Sequence, residues 1–140
     1  MPKKVDVMLR VISRRPRAER GFRQATDGKN NLVPFFYKFK GGKDDMGDVV
    51  ADKKADELSV VVKLDNKTIN GGYSIMRAEY KLGSEQSPDI VFPAPRKGKS
   101  AKITDKALDD GIDVFYNIVV KKDGKDVEIV CDPRISNRFN

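Results

Sequence analysis

Tyr116-Asn-Ile-Val-Val-Lys-Lys-Asp-Gly-Lys-Asp-Val-Glu-Ile-Val-Cys131 reads as a β-hairpin. Asp123-Gly124 is a two-residue turn signal of the type I′ kind. A turn there sets Lys122 opposite Lys125, Val120 opposite Val127, Ile118 opposite Ile129 and Tyr116 opposite Cys131. Every second pair is then apolar on both sides. Between them Lys121 meets Asp126, a favourable charge pair, and Val119 meets Glu128. A one-residue slip would turn the apolar set to the wrong face, so the pattern specifies this register.

The same period of two recurs through the chain. Val5, Val7, Leu9 and Val11 alternate with Asp6, Met8, Arg10 and Ile12, and Leu58, Val60, Val62 and Leu64 with Ser59, Val61, Lys63 and Asp65. Phe35, Tyr37 and Phe39 alternate with Phe36, Lys38 and Lys40. Each reads as a strand with one buried face. Pro34, which has no N–H to donate, favours a strand start or a sheet edge. Tyr73–Leu82 is a further strand whose imperfect alternation predicts a bulge. Ile90–Phe92 and Ser100–Thr104 are shorter candidates. Helical signals are confined to single turns at Asp105–Gly111 and at residues 51–58. The expected fold is all-β: one domain over residues 1–140, an immunoglobulin-like or jelly-roll antiparallel β-sandwich of about seven strands. A small barrel is the alternative.

Composition narrows the chemistry. The chain has 140 residues, no His, no Trp and one cysteine, Cys131. Without His, the commonest general base and metal ligand is missing. One cysteine excludes an intrachain disulfide and a multi-cysteine zinc site. Cys131 falls on the apolar face of the last strand and reads as a small hydrophobe rather than a nucleophile. The opening Met-Pro-Lys-Lys-Val-Asp has no apolar stretch, so no secretory leader is expected, and no window is long enough for a membrane span. The expected compartment is the cytoplasm, or a particle assembled there. Asn66-Lys67-Thr68 matches a glycosylation sequon but lacks that secretory context. The reading is of no enzyme, no cofactor and no metal.

Charge is the strongest functional signal. The net charge is +7, yet residues 1–40 carry +8 and residues 41–140 carry −1. Six of the ten arginines, Arg10, Arg14, Arg15, Arg17, Arg20 and Arg23, fall within fourteen residues. Pro16 and Gly21 prevent a continuous helix there, so a basic loop is expected at about 13–31, tethered between two strands. Arginine forks match phosphate oxygens, and phosphate contacts supply most sequence-independent affinity for nucleic acid. The candidate polyanion-binding residues are Arg14, Arg15, Arg17, Arg20 and Arg23, with a second basic run of Arg96, Lys97 and Lys99, followed by Lys102. Phe22 is placed to stack on a base or to anchor the loop. The plain alternatives are a solvated loop that aids solubility and, for the second run, lysines that discourage edge-to-edge pairing. Asp44, Asp45, Asp48, Asp52, Asp56 and Glu57 form an acidic stretch whose spacing does not match a calcium loop. It reads as solvated, or as a dock for a neighbour's arginines.

Gly111-Ile-Asp-Val-Phe-Tyr-Asn-Ile-Val-Val-Lys-Lys-Asp-Gly-Lys125, leading to Asp132-Pro133-Arg134-Ile135, resembles the ending of small bacterial β-sandwich proteins of the inclusion-body (AidA/PixA-like) type. It is similar also to small proteins named for an Asp-Pro motif near the C-terminus. The resemblance covers about a quarter of the chain and implies a sandwich without a known active site. Physically, Asp132-Pro133 can end the strand, with Asp132 bonding locally and Pro133 blocking continuation. Two functions follow as expectations. The first is a non-enzymatic binding or structural module whose Arg-rich loop contacts nucleic acid, another polyanion or an acidic neighbouring subunit. The second is a self-assembling homo-oligomer or partner-docking sandwich of inclusion-body type, in which the basic loop is incidental. Neither involves a membrane.

Overall fold

Alternating apolar residues become strands wherever the sequence alternates for five residues or more. The computed structural model describes residues 3–13, 22–41 and 48–139. Its long strands are β1 (Lys3–Ile12), β3 (Leu32–Gly41), β5 (Leu58–Leu64), β6 (Tyr73–Tyr80), β8 (Ser100–Asp105) and β9 (Ile112–Lys122). Short strands fill in around them: β2 (Arg23–Thr26), β4 (Val49–Ala51), β7 (Ile90–Val91), β10 (Ile129–Cys131) and β11 (Arg134–Asn137). Val7, Leu9 and Val11, then Phe35, Tyr37 and Phe39, then Leu58, Val60, Val62 and Leu64 are all buried as the period requires. Each such Val or Leu contributes about 1.5–3 kcal/mol of burial free energy.

The fold is all-β, and its strands join in one open mixed sheet of eleven, not the seven antiparallel strands expected. The order is β4-β11-β9-β10-β2-β3-β1-β5-β8-β7, with β6 on the other edge of β9. The strands the sequence did not single out, β2, β4 and β11, are three or four residues long, too short to show a period. Two pairings are parallel, β1 with β5 and β4 with β11. A parallel pair needs a long connection. Between β1 and β5 that connection contains β2, β3 and β4, so its direction cannot be read from either strand alone.

The C-terminal hairpin forms with its register moved by two residues. Ile129 pairs with Val120 and Cys131 with Ile118, where Val127 and Ile129 were expected. The turn closes with Lys125 N–H donating to the Lys122 carbonyl at 3.0 Å. Only Gly124 has a positive φ, 77°. A type I′ turn needs positive φ at both central residues and type II′ at the first; positive φ at the second alone is the type II pattern, which splays the strands it joins. Residues 125–128 accordingly leave the ladder. A two-residue move keeps every side chain on its own face, so the apolar pairing survives it. The Lys121–Asp126 ion pair persists at 3.5 Å, whereas Val119 faces Val130 instead of Glu128.

Other irregularities have local causes. The bulge expected in β6 lies between Ile75 and Arg77. Pro34 sits inside β3, two residues after its start, where the β2–β3 register shifts between Gln24 and Thr26. The missing N–H is thus accommodated at an irregularity. Asp132-Pro133 interrupts the last strand without ending it. β10 precedes the break and β11 follows, both along β9, with Tyr116 N–H donating to the Pro133 carbonyl. Residues 51–58 and 105–111 are turns and extended segments, not helical turns. The one α-helix among the described residues, α1 (Asn66–Asn70), lies where no helix was expected. Asp65 caps it by accepting from Thr68 N–H at 2.9 Å. Thr68 of the sequon is buried, and its hydroxyl accepts from Val11 N–H.

Where β7 and β8, at one edge of the strand order, meet β11, next to the other edge, a polar cluster is buried. Asp89, Asp105 and Asn137 are each 2% exposed or less. Asp89 Oδ2 accepts from the backbone N–H groups of Leu108 and Asp109 at 2.9 and 2.8 Å, and from Asn137 Nδ2 at 3.3 Å. Asp105 Oδ1 accepts from Ala107 N–H at 2.8 Å. Asp105 Oδ2 and Asn137 Oδ1 have no donor among the described residues. Burial raises the Asp105 pKa above the ordinary carboxylate value. The bond from Ala107 and the polar amide of Asn137 oppose this, and the Asp89 charge adds to it.

Candidate polyanion-binding face

The outward phase of the alternation, opposite the core, gathers the cations. β3, β1, β5 and β8 are neighbours in that order. Registers place Lys40 beside Met8 and Met8 beside Lys63, Lys38 beside Arg10, and Val61 between Asp6 and Lys102. Lys4 adds a further charge on β1, beside Ser59. The outer face of these four strands therefore carries Lys4, Arg10, Lys38, Lys40, Lys63 and Lys102. Among the described residues, Asp6 and Asp65 form ion pairs with its cations. Met8, Arg10, Lys38, Lys40 and Asp65 line a shallow groove of about 370 Å³.

The two carboxylates are partly engaged. Asp6 lies 3.7 Å from Lys4 and 3.6 Å from Lys63, both exposed pairs of small energetic weight. Asp65 accepts from Arg10 Nε while capping α1. Its burial would raise its pKa, but the bonds from Thr68 and Arg10 outweigh this and hold it below the ordinary value. No ion pair among the described residues engages Lys40 or Lys102. Phe22 lies under the Lys38 ammonium, 5.5 Å from Nζ to the ring centre.

The second basic run joins this face at its β8 edge. Ile75 and Gly98 exchange both backbone hydrogen bonds, at 2.8 and 2.9 Å, which ties the run to β6. Leu64 N–H donates to the Lys99 carbonyl, and Ser100 pairs with Lys63. Arg96, Lys97 and Lys99 are exposed on the rim of a cleft of about 420 Å³ whose lining also includes Lys102. Lys97 has a loose contact with Asp123 at 3.8 Å.

The first basic segment divides. Arg14, Arg15, Arg17 and Arg20 lie outside the described residues. Arg23 is on β2 opposite Tyr37, not beside Lys38. Its guanidinium stacks 4.9 Å from the Tyr37 ring centre and donates to the Asp132 carbonyl at 3.3 Å. Burial pushes the Tyr37 hydroxyl pKa up to about 12, partly countered by the Arg23 charge. Of the acidic stretch, Asp44 and Asp45 are also outside the described residues. Asp48 and Asp52 contact Arg134 and Lys3 of the same chain. Cys131 is buried and free, and burial pushes its thiol well above the ordinary pKa, which disfavours the thiolate.

Lys4, Lys38, Lys40 and Lys63 were not singled out from the sequence. Their signal was present as the polar phase of each strand. What the sequence lacked was the strand order that makes them neighbours. No helix among the described residues is long and apolar enough to cross a membrane. No protein-family model matches the chain, and a search of curated proteins finds no significant match.

Proposed function

We propose that this protein is a non-enzymatic binding module of the cytoplasm whose basic sheet face neutralises a polyanion. The observation that carries the reading is the set of six cations that four adjacent strands bring to one face. A pleated sheet holds such side chains at fixed spacing, so their backbone positions need no ordering on binding. In the sequence, the arginine segment follows β1 and carries much of the net positive charge of residues 1–40. We also propose that the sheet closes over its apolar face as a sandwich, supported by the paired backbone bonds between Ile75 and Gly98. The buried free thiol suits a reducing compartment.

The test is heparin affinity measured over a range of salt. Each lysine that contacts the polyanion contributes about 0.7–0.9 to the log–log salt slope. Replacing Lys40, Lys63 and Lys102 together by Ala should lower the slope by about 2. An unchanged slope would contradict the reading.

A second reading, partner docking or self-assembly, is favoured by one observation. Leu82 is 92% exposed and Phe115 42% exposed, and Lys81, next to Leu82 in the chain, donates its N–H to the Phe115 carbonyl. A salt-insensitive oligomer on a sizing column, dispersed by Leu82→Ser, would support it.

A further inference from the structure

We infer that the ligand of the basic face is a single-stranded nucleic acid, laid across β3, β1, β5 and β8 with its phosphates on the lysines and a base against Met8 and Phe36. The inference rests on the polyanion reading above and narrows it to one class of partner.

Three features point the same way. First, the face is shallow and four strands wide, about 15 Å at the usual inter-strand spacing. Its one neighbouring helix, α1, has five residues and is not an element that fills a major groove. A duplex would meet so shallow a surface along a single line, whereas a flexible single strand can follow it. Second, the cations are interleaved with apolar groups. Met8 is 37% exposed between Lys40 and Lys63, and Phe36 and Ile12 are paired, half-buried, on the same outer phase. Purely electrostatic binding to an acidic protein surface needs no exposed Met and no aromatic ring among its lysines. Unstacked bases do use such groups, and stacking against a ring contributes affinity whatever the base. Third, Phe22 sits beneath Lys38 at the entrance to the same face, where a base can pack beside an ammonium.

The experiment is fluorescence anisotropy on the full chain with three probes: labelled oligothymidylate, a labelled duplex of equal length, and labelled polyglutamate. Oligothymidylate should bind about tenfold more tightly than the duplex, and polyglutamate more weakly than either. Met8→Ala and Phe36→Leu should each weaken oligothymidylate about threefold to tenfold, and heparin by a smaller factor. Met8 is exposed, so its variant keeps the test valid should Phe36→Leu not fold. An oligonucleotide carrying 5-iodouridine should crosslink to peptides from β1 and β3.

Equal or tighter binding of the duplex, preference for polyglutamate, or crosslinks confined to other strands would overturn the inference. If heparin still bound through Lys40, Lys63 and Lys102, the polyanion reading would survive that result. If no probe bound and heparin did not bind either, the polyanion reading would fall with it.

Discussion

On the outer sheet face, Lys40, Lys63 and Lys102 hold their charges toward water. Where β7 and β8 meet β11, Asp89, Asp105 and Asn137 hold polar groups out of it. The lysines have few partners and can exchange water for a ligand at small cost to the fold. The buried groups are committed to the backbone, and Asp89 alone accepts from two backbone N–H groups and one side-chain amide. Charge on the first surface is available for binding. In the second region it is absorbed in joining β8, β11 and the segment around residue 108. Burial, more than residue type, separates the two roles.

The contrast can be broken first in the buried cluster. Asp89→Ala would leave the N–H groups of Leu108 and Asp109 without their acceptor. We expect a loss of about 3 kcal/mol in urea unfolding, with no change in heparin affinity. Next in size is Arg77→Ala. Arg77 donates to both Glu128 oxygens at 2.6 and 3.1 Å, and that bond chiefly lowers the Glu128 pKa. Both side chains keep about a third of their surface in water, 29% and 32%. The expected cost is therefore nearer about 1 kcal/mol than a buried pair's full penalty. The Glu128 contribution is present above the unfolded carboxylate pKa and is lost as pH falls through its lowered folded value.

Asp105→Asn should act in the opposite direction. The Asp105 pKa is raised in the folded state, so its contribution favours folding at acid pH and declines as pH rises from the unfolded value of about 4 through the folded one. An amide keeps the acceptor for Ala107 N–H and removes the buried charge. We expect about 1 kcal/mol of stabilisation at neutral pH, shrinking toward zero near pH 4. A variant less stable at neutral pH than at pH 4, relative to the parent, would contradict this. The smallest stability effect belongs to the outer face. Lys40→Ala, Lys63→Ala and Lys102→Ala should each change stability by less than about 0.5 kcal/mol, measured by thermal unfolding, while lowering heparin affinity.

How far the fold was legible depended on the length of each pattern. β1, β3 and β5 repeat their alternation over seven to ten residues, and all three emerged as read. β6 also emerged with its bulge, although it ends at Tyr80 and not Leu82. The hairpin shows the limit of a period-two argument. Alternation excludes an odd slip but is blind to a slip of two, and the splayed turn at Asp123-Gly124 selected the even alternative. α1 was overlooked because one turn of helix has no period. Its only local sign was Asp65 three residues before Thr68. The candidate site was legible in composition more than in place. The arginine segment announced a basic protein, yet Arg23 is taken up by Tyr37 and Asp132. The lysines that form a continuous face come from strands up to about a hundred residues apart in the chain.

Alternation and turn chemistry settled the all-β class, the inward faces of the long strands and the burial of Cys131, because side-chain parity is a local property of extended backbone. Strand order, the parallel β1–β5 pairing, the hairpin register and the company each charge keeps were decided by tertiary contacts. Those contacts join segments whose sequences carry no information about one another's position, and only their hydrogen-bonded registers turn scattered lysines into one surface.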